Sequence, residues 1–327
     1  MSRKALITGV SGQDGAYLAA FLLKKGYEVS GTARDASMAS LTNLDVLGIR
    51  DDVKMESMAL NDFRSVIHVL RKVAPDEIYN LAGQSSVSLS FEQPVETQES
   101  ISSGVLNLLE AIRFLDRPTL FYNAGSTECF GNADVPADET TPFRPRSPYA
   151  VAKSTAFWQV ANYREAYGIR ACSGILSNHE SPLRPERFVT QKIIAAVCRI
   201  AAGSGETLQL GDIAINRDWG WAPEYVEAMW LMLQRDQTDD YVIATGETWS
   251  LTDFIHRAFS YFGLDWQEHV RTDAALRRPT DIRVSRADPS KAARELDWTA
   301  TSKMGDVVRM MIEARMDRAD RRAGPTA

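Results

Sequence analysis

The sequence predicts an α/β chain: a doubly wound parallel sheet joined to a second, smaller α/β domain. Three observations predict it. Short apolar runs alternate with amphipathic stretches through the first half. A glycine-spaced turn follows the first of those runs and opens a helix. Past Asn178 the rhythm weakens, and Pro182, Pro185, Pro279 and Pro289 punctuate loops among repeated arginines.

Each element has its own reason. Ala5-Leu6-Ile7 is the short apolar run of a strand buried on both faces. Tyr17 to Lys25 puts Leu18, Phe21 and Leu22 on one helical face. Tyr27 to Thr32 reads as the next strand, Phe63 to Lys72 as a helix, and Glu77 to Ala82 as a strand. Gly104 to Phe114 reads as a helix and Thr119 to Asn123 as a strand. Ser147-Pro148 starts a helix running to Tyr167 before Gly168: Ser caps, and Pro lacks an N–H that would have no partner there. Residues 1–177 and about 214–245 are expected to form the first domain; 178–213 and about 246–327 form the second. Asp218 to Gln234 is expected to return to the first domain, and the tail from Asp317 to fray.

Composition narrows the function classes. The 327 residues suffice for roughly two domains, and 44% hydrophobic with 24% charged residues is ordinary for a soluble globular protein. A net charge of -6 argues against a general nucleic-acid binder. Cys129, Cys172 and Cys198 form no CxxC pair, and His68, His256 and His269 form no cluster, so no metal is expected. No stretch approaches the roughly 20 apolar residues of a membrane helix, and the N-terminal run is too short for a signal peptide. The expectation is cytoplasmic, with no membrane partner.

The chemistry starts at Thr8-Gly9-Val10-Ser11-Gly12-Gln13-Asp14-Gly15. Glycines at this spacing between a strand and a helix let backbone approach a pyrophosphate at the helix N-terminus. At the end of the second strand, where an acid would hold the ribose of NAD, stand Ala33 and Arg34. Arg pairs with the 2′-phosphate of NADP, so NADP is the expected cofactor; Asp35 follows and keeps NAD open. Tyr149 and Lys153 lie one helical turn apart. A phenol titrates near pH 10, and a neighbouring ammonium is expected to lower that value. Tyr149 then takes a hydroxyl proton as hydride leaves the same carbon, and Lys153 also holds the nicotinamide ribose. Ser126 and Glu128 follow the strand Thr119 to Asn123, at the sheet edge where such folds bind ligands. Ser126 suits the oxygen being oxidised. Glu128 supplies a second base, which a simple dehydrogenase does not need.

From roughly residue 3 to 315 the chain resembles the extended short-chain dehydrogenase/reductase superfamily and, within it, the GDP-mannose 4,6-dehydratase family. The resemblance is carried by Thr8 to Leu18, Asn80 to Ser85, Ser147 to Lys153, Gly174 to Pro182, and Arg217 to Gly220 running into Tyr225 to Trp230. It implies a Rossmann domain and a nucleotide-sugar domain. It implies transient C4 oxidation of a GDP-sugar, loss of water across C5 and C6, and return of hydride to C6. Ser126, Glu128, Tyr149 and Lys153 would be catalytic. Gly9, Gly12, Gln13, Asp14, Gly15, Arg34, Leu81 and Ala82 would bind the cofactor with Tyr149 and Lys153. Ser85, Asn178, Arg184, Arg217, Arg278 and Asp281 would line the GDP-sugar site. The helices Gly104 to Phe114 and Tyr149 to Tyr167 resemble a pair that builds homodimers or homotetramers.

The chain departs from the family at Ser126 (Thr is usual), Asp35 (Arg), Ala59 (Asp), Pro185 (Gly), Gln191 (Arg), Asn216 (Lys), Asp281 (Glu) and Arg283 (Asp). Most departures fall on ligand-facing segments, while the catalytic set is kept. Two other readings are open: a reductase or 4-epimerase, which needs no second base, and a non-catalytic NADP-binding sensor.

Overall fold

The computed structural model describes residues 2–323. Seven strands form one parallel sheet: β1 (Lys4–Thr8), β2 (Glu28–Ala33), β3 (Lys54–Ser57), β4 (Glu77–Asn80), β5 (Leu120–Ala124), β6 (Ala171–Leu176) and β7 (Tyr241–Ile243). Their order is β7-β6-β5-β4-β1-β2-β3, so the winding reverses between β1 and β4. That reversal opens a crevice at the carboxyl ends of the strands.

Strand periodicity explains the layers. Ala5 and Ile7 pack with the helices Gln13–Lys24 and Ala222–Leu233; Leu6 between them packs with Phe63–Val73, Gly104–Leu115 and Pro148–Tyr167. Each fully buried Leu or Ile contributes about 1.5–3 kcal/mol, so a one-residue slip of β1 is strongly disfavoured. The helix Pro148–Tyr167 has the expected ends: the Ser147 hydroxyl accepts from Ala150 N–H at 3.1 Å, and Gly168 closes it at φ +67°.

Several elements differ from the sequence reading. The first helix begins at Gln13 rather than Tyr17, because it opens directly from the glycine turn. The edge strand β3 was not expected; it is half exposed and has no apolar run to announce it. Helices Thr42–Leu47, Val87–Glu92 and Pro94–Gln98 were likewise not expected, and the last runs through a π-helical turn, Glu99–Ser103, into Gly104–Leu115.

A second core gathers Ile193, Val197, Leu208, Trp219, Phe254, Phe259, Val307 and Ile312. It joins helices Val189–Ala201, Leu251–Ser260 and Met304–Ala323 to a two-stranded parallel piece, Leu208–Leu210 with Val270–Thr272. Ala292, Leu296, Trp298 and Ala300 belong instead to the first core, against the helix Ala222–Leu233, so the chain crosses back after residue 290. The backbone of the tail that was expected to fray from Asp317 is helical as far as Ala323; residues 324–327 lie outside the described residues. Among the described residues no helix is long and apolar enough to cross a membrane.

Two polar networks fix the sheet. At the carboxyl ends, Thr8 Oγ1 donates to Asn80 Oδ1 (2.8 Å), Asn80 Nδ2 to Asn123 Oδ1 (3.1 Å) and Asn123 Nδ2 to Ser173 Oγ (3.4 Å). This buried ladder crosses β1, β4, β5 and β6 just beneath the crevice. At the opposite end the fully buried Glu77 accepts from Arg3 (2.9 Å), Tyr27 (3.1 Å), Tyr79 (2.8 Å) and Gln234 (3.3 Å), while Trp230 donates to Tyr27 Oη at 3.1 Å.

Candidate active site

A cavity of about 1340 Å³ runs along the carboxyl ends of the sheet, faced by segments that include Asn178–Lys192 and Leu276–Asp281. It exceeds the roughly 300–1,000 Å³ of a single small-ligand pocket and has room for two ligands.

One wall is backbone. Gly9 has φ +70°, and a Cβ there would stand 2.9 Å from Ala82 Cα. A Cβ on Gly15 would stand 2.4 Å from the Gly9 carbonyl oxygen. The helix Gln13–Lys24 starts from Gly12 with no side-chain cap, so its first N–H groups have no side-chain acceptor. Uncapped N–H groups at a helix start facing a cavity fit a pyrophosphate. Leu81 and Ala82 line the same wall, their N–H groups both donating to Thr8 Oγ1 at 3.1 Å. Gln13 and Asp14, expected at the cofactor, also border the cavity, but their side chains are engaged elsewhere: Gln13 Nε2 donates to His179 O and Asp14 meets His179 Nε2. Arg34 is exposed on the wall just past β2, 3.6 Å from Glu96. Asp35 accepts from Ser37 N–H (2.9 Å) and Ser37 Oγ (2.7 Å), which spends its carboxylate on a local turn.

The four residues expected to be catalytic meet at the end of β5. Ser126 Oγ accepts from Glu128 N–H at 3.2 Å, and Ser126, Glu128, Tyr149 and Lys153 all line the cavity. Lys153 is buried; its ammonium donates to Ala124 O at 2.7 Å and sits 5.8 Å from the centre of the Tyr149 ring. Burial pushes that ammonium down to about 8. Burial also pushes the Tyr149 phenol up, and the Ser126 hydroxyl is the strongest influence against it. The expected lowering of Tyr149 by Lys153 is therefore not what the protein alone provides. Desolvation of the phenolate wins, and the Lys153 ammonium is held by a carbonyl. Burial raises the Glu128 carboxyl as well, with Arg217 and Arg278 opposing. A raised carboxyl is a stronger base when ionised.

The other wall is charged side chains. Ser85, Asn178, Arg184, Arg278 and Asp281 line it. Arg184 pairs with the buried Glu180 at 3.0 Å and lies over the Phe188 ring at 4.0 Å. Arg278 donates to Ser88 Oγ (3.0 Å) and Asp281 Oδ1 (3.2 Å). Arg217 was expected on this wall but stands behind it. It is 4% exposed, and reaches Asp281 at 3.0 Å, Ile282 O at 2.7 Å and Glu128 at 3.6 Å. Arg217 thus links Glu128 to Asp281 on the charged wall. Of the eight positions expected to depart from the family, Ala59, Ser126, Pro185 and Asp281 line the cavity, whereas Asp35, Asn216 and Arg283 do not, and Gln191 is buried and donates to Ser181 O at 2.9 Å. Sequence reasoning missed His179, whose signal was only its place inside Asn178-His179-Glu180-Ser181. Among the described residues no group of His, Cys, Asp and Glu is arranged to hold a metal ion.

Comparisons with known proteins agree with this geometry. A solved dTDP-glucose 4,6-dehydratase from Streptomyces venezuelae, with NAD bound, superposes with a TM-score of 0.84 at 22% identity, over 96% of this chain and 98% of that one. RMD from Pseudomonas aeruginosa, complexed with NADPH, gives 0.78 at 21% identity, over 97% and 99%. At such identities these two share the fold. GDP-mannose 4,6 dehydratase 1 of Arabidopsis thaliana is 46% identical, over 97% of this chain and 91% of its own length. The sequence model described as GDP-mannose 4,6 dehydratase matches residues 6–311, which include both walls of the cavity and all four residues at the end of β5. By sequence from end to end, and by the fold that carries it, the chain belongs to the GDP-mannose 4,6-dehydratase family.

Proposed function

We propose that this chain dehydrates GDP-mannose to GDP-4-keto-6-deoxymannose, with a nicotinamide dinucleotide reduced and reoxidised in each turnover. The observation that carries the reading is a carboxyl, Glu128, whose side chain is only 14% exposed and which lines the cavity together with Ser126 and Tyr149. The nicotinamide cofactor, when bound, supplies a hydride acceptor and a positive charge.

The chain's own residues do the rest. Ser126 and Tyr149 hold the C4 hydroxyl, and Tyr149 takes its proton. The C4 ketone acidifies C5, so proton removal there must follow oxidation. Glu128 takes the C5 proton. As the C5–C6 double bond forms, the C6 hydroxyl departs, and the protonated Glu128 supplies the proton that makes it water; hydride return to C6 then leaves C5 to take up one proton, which balances the one that Tyr149 removed from the C4 hydroxyl and must give up. A carboxyl raised by burial suits both halves of that transfer. Arg184 and Arg278 face the diphosphate, for which a planar guanidinium donates two parallel bonds.

NADP is the preferred cofactor in this reading, because Arg34 is exposed on the wall and Asp35 is turned into the Ser37 turn. The two cores support the division into a dinucleotide domain and a nucleotide-sugar domain, with residues 292–300 added to the first. Phe114, Val151, Trp158 and Tyr167 lie exposed on two packed helices and support a homodimer built there, alone or within a homotetramer. A cytoplasmic location fits the three free cysteines.

Incubation with GDP-mannose followed by mass spectrometry should show loss of one water. Glu128→Gln should cut product formation by about 10²–10⁴-fold while substrate still reduces the cofactor, seen as near-ultraviolet absorbance. Full activity in that variant would sink the mechanism. A product that keeps its C6 oxygen would select a reductase or epimerase.

A further inference from the structure

Two segments far apart in sequence meet at the cavity wall: the start of helix Gln13–Lys24 and the stretch Asn178–Arg184. His179 is at the centre of the meeting. Its Nε2 lies 2.9 Å from Asp14 Oδ2, and its Nδ1 lies 2.7 Å from Ser177 O. A carbonyl oxygen only accepts, and the Asp14 carboxyl is held below its ordinary value, chiefly by His179 against the cost of burial. Nδ1 therefore carries a hydrogen, and a raised His179 beside a lowered Asp14 favours an ion pair across Nε2 in the buried site. Burial opposes that charge, Arg184 opposes it further, and the Asp14 carboxylate prevails to raise His179. The ring also stacks on Tyr225, with centroids 4.6 Å apart.

The surrounding bonds extend the link in both directions. Gln13 Nε2 donates to His179 O at 3.1 Å, and Gln13 Oε1 accepts from Ser181 Oγ at 2.7 Å. Arg184 Nη1 donates to the same His179 O at 3.0 Å. On one side, then, are the two residues that follow Gly12 in the turn. On the other is an arginine of the charged wall.

We propose that His179 is a positioning residue that couples the two ligand sites, so that nucleotide sugar and nicotinamide dinucleotide each tighten the hold on the other. The inference rests on reading the cavity as a site shared by those two ligands. Its physical basis is common ordering. A ligand that fixes the glycine turn also fixes Asp14 and Gln13, hence His179, Ser181 and Arg184. The second ligand then finds its segment already ordered. A buried ion pair contributes little net stability over an apolar pair, and specifying one arrangement of two segments is a use it does serve.

The test needs no turnover. NADPH fluorescence is titrated with and without saturating GDP, and GDP is titrated calorimetrically with and without NADPH. The proteins are the wild type, His179→Gln and Asp14→Asn, each checked for folding by circular dichroism. The Asn variant keeps the shape of Asp14 should the Gln variant misfold. The wild type should bind each ligand about fivefold or more tightly in the presence of the other, with the same factor in both directions. In the folded variants that factor should fall below about twofold, while each ligand alone still binds. A wild type without mutual effect, or variants that retain the full factor, would overturn the coupling. A wild type that binds NADPH but none of GDP, UDP, dTDP or ADP would remove the reading of the cavity, and the coupling with it.

Discussion

The two walls of the cavity are built on different principles. The glycine-turn wall is backbone: Gly9, Gly12 and Gly15 let chain segments touch, and an uncapped helix presents N–H groups. The opposite wall is side chain: Arg184 on Glu180, and Asp281 shared between Arg217 and Arg278. A backbone wall recognises what every dinucleotide shares, and its failure mode is one extra carbon. A side-chain wall recognises a particular arrangement of charge, and its failure mode is an unpaired ion.

The contrast can be broken at either wall. The largest effect is expected for Gly15→Ala, whose methyl would meet Gly9 O at 2.4 Å and Val10 Cα at 2.6 Å. Both neighbours are backbone, so the turn must move. About 3 kcal/mol of stability should be lost, read by urea unfolding, with NADPH binding weakened too. Retention of both would mean that the wall tolerates bulk after all. Next comes Asp281→Ala, which leaves the buried Arg217 and its neighbour Arg278 without their shared carboxylate. About 2 kcal/mol of stability should go, and the turn itself should not notice: NADPH affinity should stay unchanged.

Arg34→Ala should cost about tenfold in NADP affinity, or about 1.4 kcal/mol, and leave NAD affinity as it was. Equal losses for both cofactors would contradict the reading of Arg34. The smallest effect is in the pH profile of kcat/KM. Glu128 must be ionised to accept a proton, and its value is raised, so the rate should fall with acid at a pH above the ordinary 4.5. Asp281 is one cause of that raising, so Asp281→Ala should move the acid limb down. Lys153 loses its proton as pH rises through about 8, and the alkaline limb should sit there. Lys153→Arg, which does not titrate in this range, should move that limb upward in whatever activity remains.

What the sequence made legible was local. The apolar runs of β1, β4 and β5, the glycine turn and the Ser147-Pro148 start each depend on neighbours a few residues away, and each lies where the pattern put it. β3 escaped because an edge strand needs no apolar run. Arg217 was misplaced because its position depends on Glu128 and Asp281, distant in the chain. Tyr149 and Lys153 were found, yet their mutual effect was misjudged. Spacing shows that two groups share a helix face, but not that burial outweighs the charge or that Ala124 O holds the ammonium. His179 was passed over for the same reason: its partner Asp14 lies 165 residues away.

The bond from Trp230 to Tyr27 spans 203 residues of chain. It belongs to the contact in which the helix Ala222–Leu233 covers the helix Gln13–Lys24, on the face where Ala5 and Ile7 are buried. On a ribosome adding about 5–20 residues per second, that cover arrives roughly 10–40 s after the strand it shelters. During synthesis the first turn of the fold can form early, with the helix Gln13–Lys24 over Ala5 and Ile7, but the side of that helix which meets Ala222–Leu233 stays bare until most of the chain has emerged. The N-terminal half is therefore the part of this protein that has to wait, and the part for which a chaperone would have the longest opportunity.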